Sequence, residues 1–337
     1  MSNPVLTDAI DRVAGGQDLS AGDAARVLRE VMEGNASEVE TAAFLVALRT
    51  KGETVQEIAG LAATMRELAL PVRANGDLVD TAGTGGGRPT FNVSTTAAFI
   101  AAGAGCKVAK HGNRSATSQC GSADVLEALG ARIDLEPDDV AACIDEVGFG
   151  FMFAPKHHAA MKHVVPVRKA LGVRTIFNFL GPLTNPAGAK RQVIGVSDPA
   201  KLETLASALA ELGTESALVV SSADGLDEFS VSGATRVVEL KDGRLSAYDV
   251  SPEQVGLEPV GDGSVAAGTP DRNARVLRDV LGGQPGTERS LALLNAGAAI
   301  YVGGLAESIA AGVERATQSV DSGAAAGVLD AYVERAR

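Results

Sequence analysis

The chain of 337 residues carries 42 Asp and Glu against 30 Lys and Arg, and the resulting formal charge of −12 argues against nonspecific nucleic-acid binding. Hydrophobic residues at 45% and charged residues at 21% exclude a disordered chain, and no run reaches the ~18 apolar residues of a membrane span. The 39 glycines exceed the usual ~7% share, a sign of tight turns, and the length suits about two domains. Cys106, Cys120 and Cys143 are odd in number and lack CxxC spacing, which argues against a disulfide framework or zinc cage and fits a reducing cytoplasm. Met1 to Asp11 holds no long apolar stretch, so neither secretion nor membrane insertion is expected.

From Leu6 to Leu70 apolar residues recur at three and four positions, as in Val27, Leu28, Val31, Met32 and in Ile58, Leu61, Met65, Leu68, which predicts four short helices. Ser37 with Glu40 and Thr54 with Glu57 fit capping boxes, and Gly15-Gly16, Gly34-Asn35 and Gly52 supply stops. Nothing in this bundle suggests catalysis. Beyond it, Leu78 to Asp80, Lys107 to Ala109, Ala131 to Leu135, Gln192 to Val196 and Ala217 to Val220 read as strands between helical stretches, hence a mainly parallel α/β sheet. Thr235 to Leu240 and Arg244 to Val250 flank Asp242-Gly243, a hairpin signal. Asp271 to Leu281, Arg289 to Val302 and the remainder to Arg337 read as helices.

Four segments carry candidate chemistry. Gly83-Thr84-Gly85-Gly86-Gly87-Arg88-Pro89-Thr90, between a strand and a helix starting near Ser94, suits a phosphate cradle, because glycine lets backbone N–H groups approach an anion. It matches neither the dinucleotide fingerprint nor the Walker loop, and a tight turn is the alternative. Lys110-His111-Gly112-Asn113-Arg114-Ser115 follows a strand, where open α/β sheets bind ligands, and the hydroxyls of Ser115, Thr117 and Ser118 would donate hydrogen bonds to a phosphosugar. Asp227-Glu228 could hold Mg²⁺ together with substrate phosphates, or be a solvated acid pair. His157, His158 and His163 lack the spacing of a helical zinc site, whereas Arg168 suits a carboxylate.

Gly83 to Gly86, Asn92-Val93-Ser94-Thr95, Lys110 to Arg114, Gly121 to Asp124, Gly181 to Pro186 and Asp227-Glu228 together resemble, in order and spacing along nearly the whole chain, the anthranilate phosphoribosyltransferase family. The resemblance implies a homodimer with a class II nucleoside-phosphorylase-like fold. That fold joins a helical domain, residues 1–70 with helices around 157–185, to an α/β domain with a mainly parallel sheet, residues 71–337. It implies transfer of 5-phosphoribose from its pyrophosphate to the amino group of anthranilate in tryptophan biosynthesis. Phosphoribosyl-pyrophosphate contacts carry over to Gly83, Gly86, Thr90, Asn92, Ser94, Thr95, Lys110, His111, Gly112, Asn113, Arg114, Ser115, Ala116, Thr117, Ser118 and Ser122, and Gly87, Arg88 and Val93 are expected to join them. Ser94, Asp227 and Glu228 resemble magnesium ligands, and Gly83, Asn113 and Arg168 anthranilate contacts, with no acid or base assigned.

The chain departs from that family in having Gly87-Arg88-Pro89 where Asp-Gly and one further residue are usual, and Cys120 where Ser is common. Arg88 is therefore expected to meet the pyrophosphate and partly replace a metal-mediated contact. Two rivals remain: a pyrimidine-type nucleoside phosphorylase, which resembles this chain with an added C-terminal domain, and an inert nucleic-acid-binding relative, opposed by the −12 charge.

Overall fold

The computed structural model describes residues 2–115, 119–261, 265 and 267–337. The chain begins with α1 (Pro4–Ala14), α2 (Ala21–Met32), α3 (Glu38–Lys51) and α4 (Val55–Glu67). The Ser37/Glu40 and Thr54/Glu57 pairs form reciprocal capping boxes at the starts of α3 and α4, satisfying backbone donors that the first turn leaves without partners. Glu57 is fully buried and accepts from Leu19 N at 3.0 Å, Thr54 N at 2.8 Å and Lys51 Nζ at 3.0 Å, so one carboxylate ties together three segments of the bundle.

The α/β part then runs β1 (Leu78–Gly83), α5 (Val93–Gly103), β2 (Lys107–Gly112), α6 (Ser122–Ala128), α7 (Pro137–Val147), β3 (Phe149–Phe153), α8 (Ala154–His157), α9 (Val165–Leu171) and α10 (Phe177–Leu180). It continues with β4 (Arg191–Gly195), α11 (Leu202–Glu211), β5 (Ser216–Ser222), β6 (Thr235–Lys241), β7 (Arg244–Val250), α12 (Pro270–Leu281), α13 (Thr287–Val302), α14 (Ile309–Asp321) and α15 (Ala324–Arg335). The described strands form a seven-stranded sheet in the order β3-β2-β1-β4-β5-β6-β7. The first five are parallel and the last two antiparallel, joined by a tight turn with Asp242 at φ 50° and Gly243 at φ 72°.

Side chains alternate across the sheet and feed two apolar clusters. Val193, Leu218, Val220 and Val237 face one cluster with α5, α13 and α15, while Ile194, Val219, Val238 and Leu240 face the other, which α11 shares with the helical bundle. Val164 and Val167 join that second cluster, and α9 packs on α3. Arg66 of α4 reaches the Leu183 and Leu212 carbonyls at 2.6 and 3.2 Å, fastening the bundle to the α/β part.

One sequence expectation fails here. Residues 131–135 are not a strand, although Ala131, Ile133 and Leu135 are buried in strict alternation. The segment runs along the core held by single bonds, Arg132 N to the Ala336 carbonyl at 2.6 Å and Lys156 Nζ to the Asp134 carbonyl at 2.7 Å, and β3 occupies the sheet edge beside β2. β3 itself, Phe-Gly-Phe-Met-Phe, carries no alternation because four of its five residues are buried.

Candidate active site

In the order β3-β2-β1-β4-β5, chain direction across the sheet reverses between β1 and β4, and open α/β sheets bind ligands beyond the carboxyl ends of such strands. Gly83 and Gly195 face each other in register at those ends. The glycine-rich loop leaves from Gly83, with Thr84 N donating to the Gly195 carbonyl at 2.8 Å and Thr84 Oγ1 accepting from Ser197 N at 3.2 Å.

The acid pair sits directly against this loop. A Cβ on Gly87 would lie 2.5 Å from Asp227 Oδ1, so that position admits only glycine without displacing Asp227, and one on Gly83 would press on Oδ2 at 3.3 Å. Gly195, which sequence reading missed, is closed by the Asp227 backbone, its missing Cβ meeting the Asp227 carbonyl carbon at 2.7 Å. A glycine ending an apolar strand is the signal that marks such a close approach. Burial holds Asp227 above the usual carboxylate range, and the Gly85 N–H and Arg174 work against that rise.

Beneath the loop lies a buried charge cluster. Lys110, 2% exposed, donates to the Thr81 carbonyl at 2.5 Å, Thr81 Oγ1 at 3.2 Å and Ser94 Oγ at 3.3 Å. Burial lowers the Lys110 pKa, while Asp80 and Glu228 act to raise it. Burial pushes Glu228 up, Asp227 adds to that, and Lys110 and the Ser94 N–H pull it back. Asp80 is pushed up to about 6 by burial, opposed first by Lys110. Lys110 thus serves both Asp80 and Glu228, and Arg174 faces Asp227, so two cations meet three acids whose protonated forms burial favours.

The remaining oxygen donors, two carboxylates and the Ser94 hydroxyl, are the hard ligands that suit Mg²⁺ sharing its shell with substrate phosphates. Among the described residues no three His, Cys, Asp or Glu side chains converge as a protein-only cage.

Asp80, not assigned a role from sequence, also shapes the crevice. Its Oδ1 accepts from His111 N at 3.1 Å and its Oδ2 from Asn185 Nδ2 at 2.7 Å, and Asn185 bonds the Ala109 carbonyl at 2.8 Å. These bonds wedge β1 from β2, whose register pairs stop at Val79 and Val108, so the strands part where the site begins. This gives the Gly181 to Pro186 motif a structural role.

The other expected residues divide. Asn92, at the N-cap position of α5, turns its side chain away from the helix: it accepts from Asn273 Nδ2 at 2.9 Å and donates to the Cys120 carbonyl at 3.3 Å, and Cys120 Sγ lies 3.2 Å from Asn92 Oδ1. Val93 is core, and Thr95 is fully buried with its hydroxyl unpartnered among the described residues. Thr90 bonds its own loop through the Phe91 carbonyl. Gly86 is closed by the Arg174 guanidinium, which also bonds Ser197 Oγ at 3.2 Å; Arg174 thereby joins the loop, although sequence reading gave it no role.

His111 is buried and held down to about 3 by burial and then by His158. Gly112 lies against the Phe151 ring and Ser122, whose hydroxyl bonds the Asn113 carbonyl at 3.2 Å. Arg114 corrects an expectation: instead of offering free charge to the cleft, it pairs with Asp124 at 2.8 Å and Glu127 at 2.5 Å. Arg88, expected at the pyrophosphate, pairs with Asp224 at 3.0 Å. Ser115 N faces Asp124 Oδ2 at 3.3 Å, while Ala116, Thr117 and Ser118 lie outside the described residues. Arg168 lies over the Phe177 ring at 5.7 Å, and no carboxylate pairs with it among the described residues. Its guanidinium is therefore available to an anionic ligand.

A glycine-rich anion loop, an oxygen-rich acid pair and Arg168, without an acidic partner among the described residues, suit a glycosyl-transfer class of site. Two family profiles agree with that class: "Glycosyl transferase family, helical bundle domain" matches residues 7–69, and "Glycosyl transferase family, a/b domain" matches residues 75–326. An anthranilate phosphoribosyltransferase of Rubrobacter xylanophilus is 53% identical over 335 residues, 99% of this chain and 98% of that one. The solved anthranilate phosphoribosyltransferase of Thermus thermophilus superposes with a TM-score of 0.93 at 44% identity, covering 98% of this chain and 99% of that one. The Saccharomyces cerevisiae enzyme, solved in complex with PRPP and Mg, gives 0.90 at 28% identity, covering 99% and 98%. The chain belongs to the anthranilate phosphoribosyltransferase family.

Proposed function

We propose that this chain transfers the 5-phosphoribosyl group of phosphoribosyl pyrophosphate to the amino group of anthranilate, giving N-(5-phosphoribosyl)anthranilate and pyrophosphate, a step of tryptophan biosynthesis. The observation that carries the reading is the Asp227 carboxylate seated against Gly83 and Gly87 at the end of β1, with Glu228 and Lys110 behind it. The Gly86 and Gly87 N–H groups and the start of α5 bind the phosphates, since Thr84 N and the Gly85 N–H already serve Gly195 and Asp227. Asp227, Glu228 and Ser94 would hold magnesium, which would supply charge compensation for the departing pyrophosphate. Gly83, Asn113 and Arg168 contact anthranilate, with Arg168 holding its carboxylate and so aiming the amino nitrogen at the anomeric carbon. An arylamine is neutral at pH 7, so the chain needs no strong base, and catalysis rests on positioning and on stabilising the leaving group.

The reading extends to the assembly and the whole chain. The helical unit, 1–70 with the segment around 157–185, closes on the 71–337 unit; the enzyme acts as a homodimer, and it works in the cytoplasm. Among the described residues no helix is long and apolar enough to cross a membrane. The test is incubation of the purified chain with anthranilate, phosphoribosyl pyrophosphate and magnesium. Anthranilate should be consumed only when all are present. Phosphate-dependent cleavage of a pyrimidine nucleoside with no loss of anthranilate would replace this reading with a phosphorylase.

A further inference from the structure

We propose that Arg88 is a positioning residue that orders the phosphate-binding loop through Asp224, without touching the substrate. The proposal rests on the phosphoribosyl-transfer reading and adds how its loop is held. Arg88 is fastened twice, by its guanidinium to Asp224 Oδ2 at 3.0 Å and by its N–H to the Gly225 carbonyl at 2.8 Å. Asp224 is a prearranged receptor: its Oδ1 accepts from Ser222 Oγ at 2.5 Å and its Oδ2 from Ser230 Oγ at 2.8 Å. Ser222 Oγ in turn accepts from Leu226 N at 2.8 Å, which fixes the segment leading to Asp227.

The loop is thus held at both ends, at Thr84 by Gly195 and Ser197 and at Arg88 by Asp224 and Gly225. Between them Gly85 and Gly86 adopt φ of 66° and 85°, left-handed conformations that a free chain visits only part of the time. Pinning the ends removes that freedom before the donor arrives, so binding does not bear the ordering cost. Moving Arg88 onto a pyrophosphate would strand Asp224, only 13% exposed, as an unpaired acid three residues from Asp227. That cost opposes direct contact.

The test compares Arg88→Ala, Asp224→Asn, the double variant and Arg88→Lys in the full chain at saturating anthranilate and magnesium. Each of the first two should raise KM for phosphoribosyl pyrophosphate about five- to tenfold with kcat held within about twofold, and the double should be no worse than the worse single. Arg88→Lys should recover part of the loss. Amide hydrogen exchange of the substrate-free protein should quicken across 83–90 in both singles and stay unchanged in α5. A loss with Arg88→Ala but none with Asp224→Asn would place the guanidinium on the pyrophosphate and overturn the proposal, as would additive losses or unchanged exchange. If the unaltered chain consumes no anthranilate, the transfer reading fails, and the exchange measurement still decides whether Arg88 orders the loop.

Discussion

At the scale of single residues, absence of a side chain matters as much as presence. The glycine-rich loop was legible in the sequence because glycine next to a strand end has few other uses, and Asp227-Glu228 was legible as an adjacent pair. Gly195 was not, because the sequence reads it inside a strand over Gln192 to Val196, and the strand-end glycine shows only that something approaches closely, not that the Asp227 backbone does so from the loop after β5. Gly195→Ala should push that backbone away and cut kcat/KM for phosphoribosyl pyrophosphate by about 10-fold or more while the chain stays folded, checked by steady-state kinetics beside circular dichroism. Arg114 illustrates the converse: the string Lys110 to Arg114 reads as a cationic loop, yet α6 supplies Asp124 and Glu127 to neutralise its arginine. Arg168, with no such partner, should behave differently. Arg168→Ala is expected to raise KM for anthranilate about 10-fold or more and leave KM for phosphoribosyl pyrophosphate nearly unchanged, which initial-rate measurements varying each substrate would show.

At the scale of elements, helix starts were the most readable feature, since capping chemistry is confined to four consecutive residues; both boxes form as the sequence expects. Strands were read well where they alternate or sit beside turn residues, and poorly at the sheet edge. Residues 131–135 alternate because one side packs on the core, not because a neighbour strand exists, and β3 hides its nature by being buried on both faces. Periodicity reports burial, and burial does not require a ladder. In the bundle, Glu57 is the element-scale keystone, since it holds the start of α4, the chain before α2 and the end of α3. Glu57→Ala leaves Lys51 with the exposed Asp18 and the Gly52 carbonyl, and two backbone N–H groups unsatisfied, and should lower unfolding free energy by about 3 kcal/mol. Urea denaturation measures this, and a loss below about 1 kcal/mol would show that water replaces the carboxylate.

At the scale of the whole molecule, a strongly acidic chain binds an anionic donor because its site compensates charge locally, while the excess acid lies mostly elsewhere. The same interior sets the acid limit of the fold. His111 and His158 are buried and held down to about 3 and about 4, against 6.5 for a free imidazole, chiefly by burial. The unfolded chain therefore takes up protons below pH 6.5 that the folded one refuses, and stability present above that pH is lost as pH falls. Between pH 6.5 and 5 each histidine costs about 2 kcal/mol, whereas Asp80, raised to about 6, returns about 1 kcal/mol over the same range and Glu228, also held above the usual carboxylate range by burial, acts in the same stabilising sense. His158→Phe should remove the His158 share, about 2 kcal/mol, of the stability lost between pH 7 and pH 5, which urea denaturation at the two pH values reads.

The central claim, that Asp227 and Glu228 beside the glycine-rich loop serve phosphoribosyl transfer with magnesium, is tested most directly by anthranilate consumption across a magnesium titration. The unaltered chain is compared there with Asp227→Asn and Glu228→Gln. Magnesium-dependent consumption matched one for one by pyrophosphate release, with the half-saturating magnesium raised about 10-fold or more in either variant, is the predicted result. Consumption indifferent to magnesium, or variants that titrate as the unaltered chain does, would contradict it.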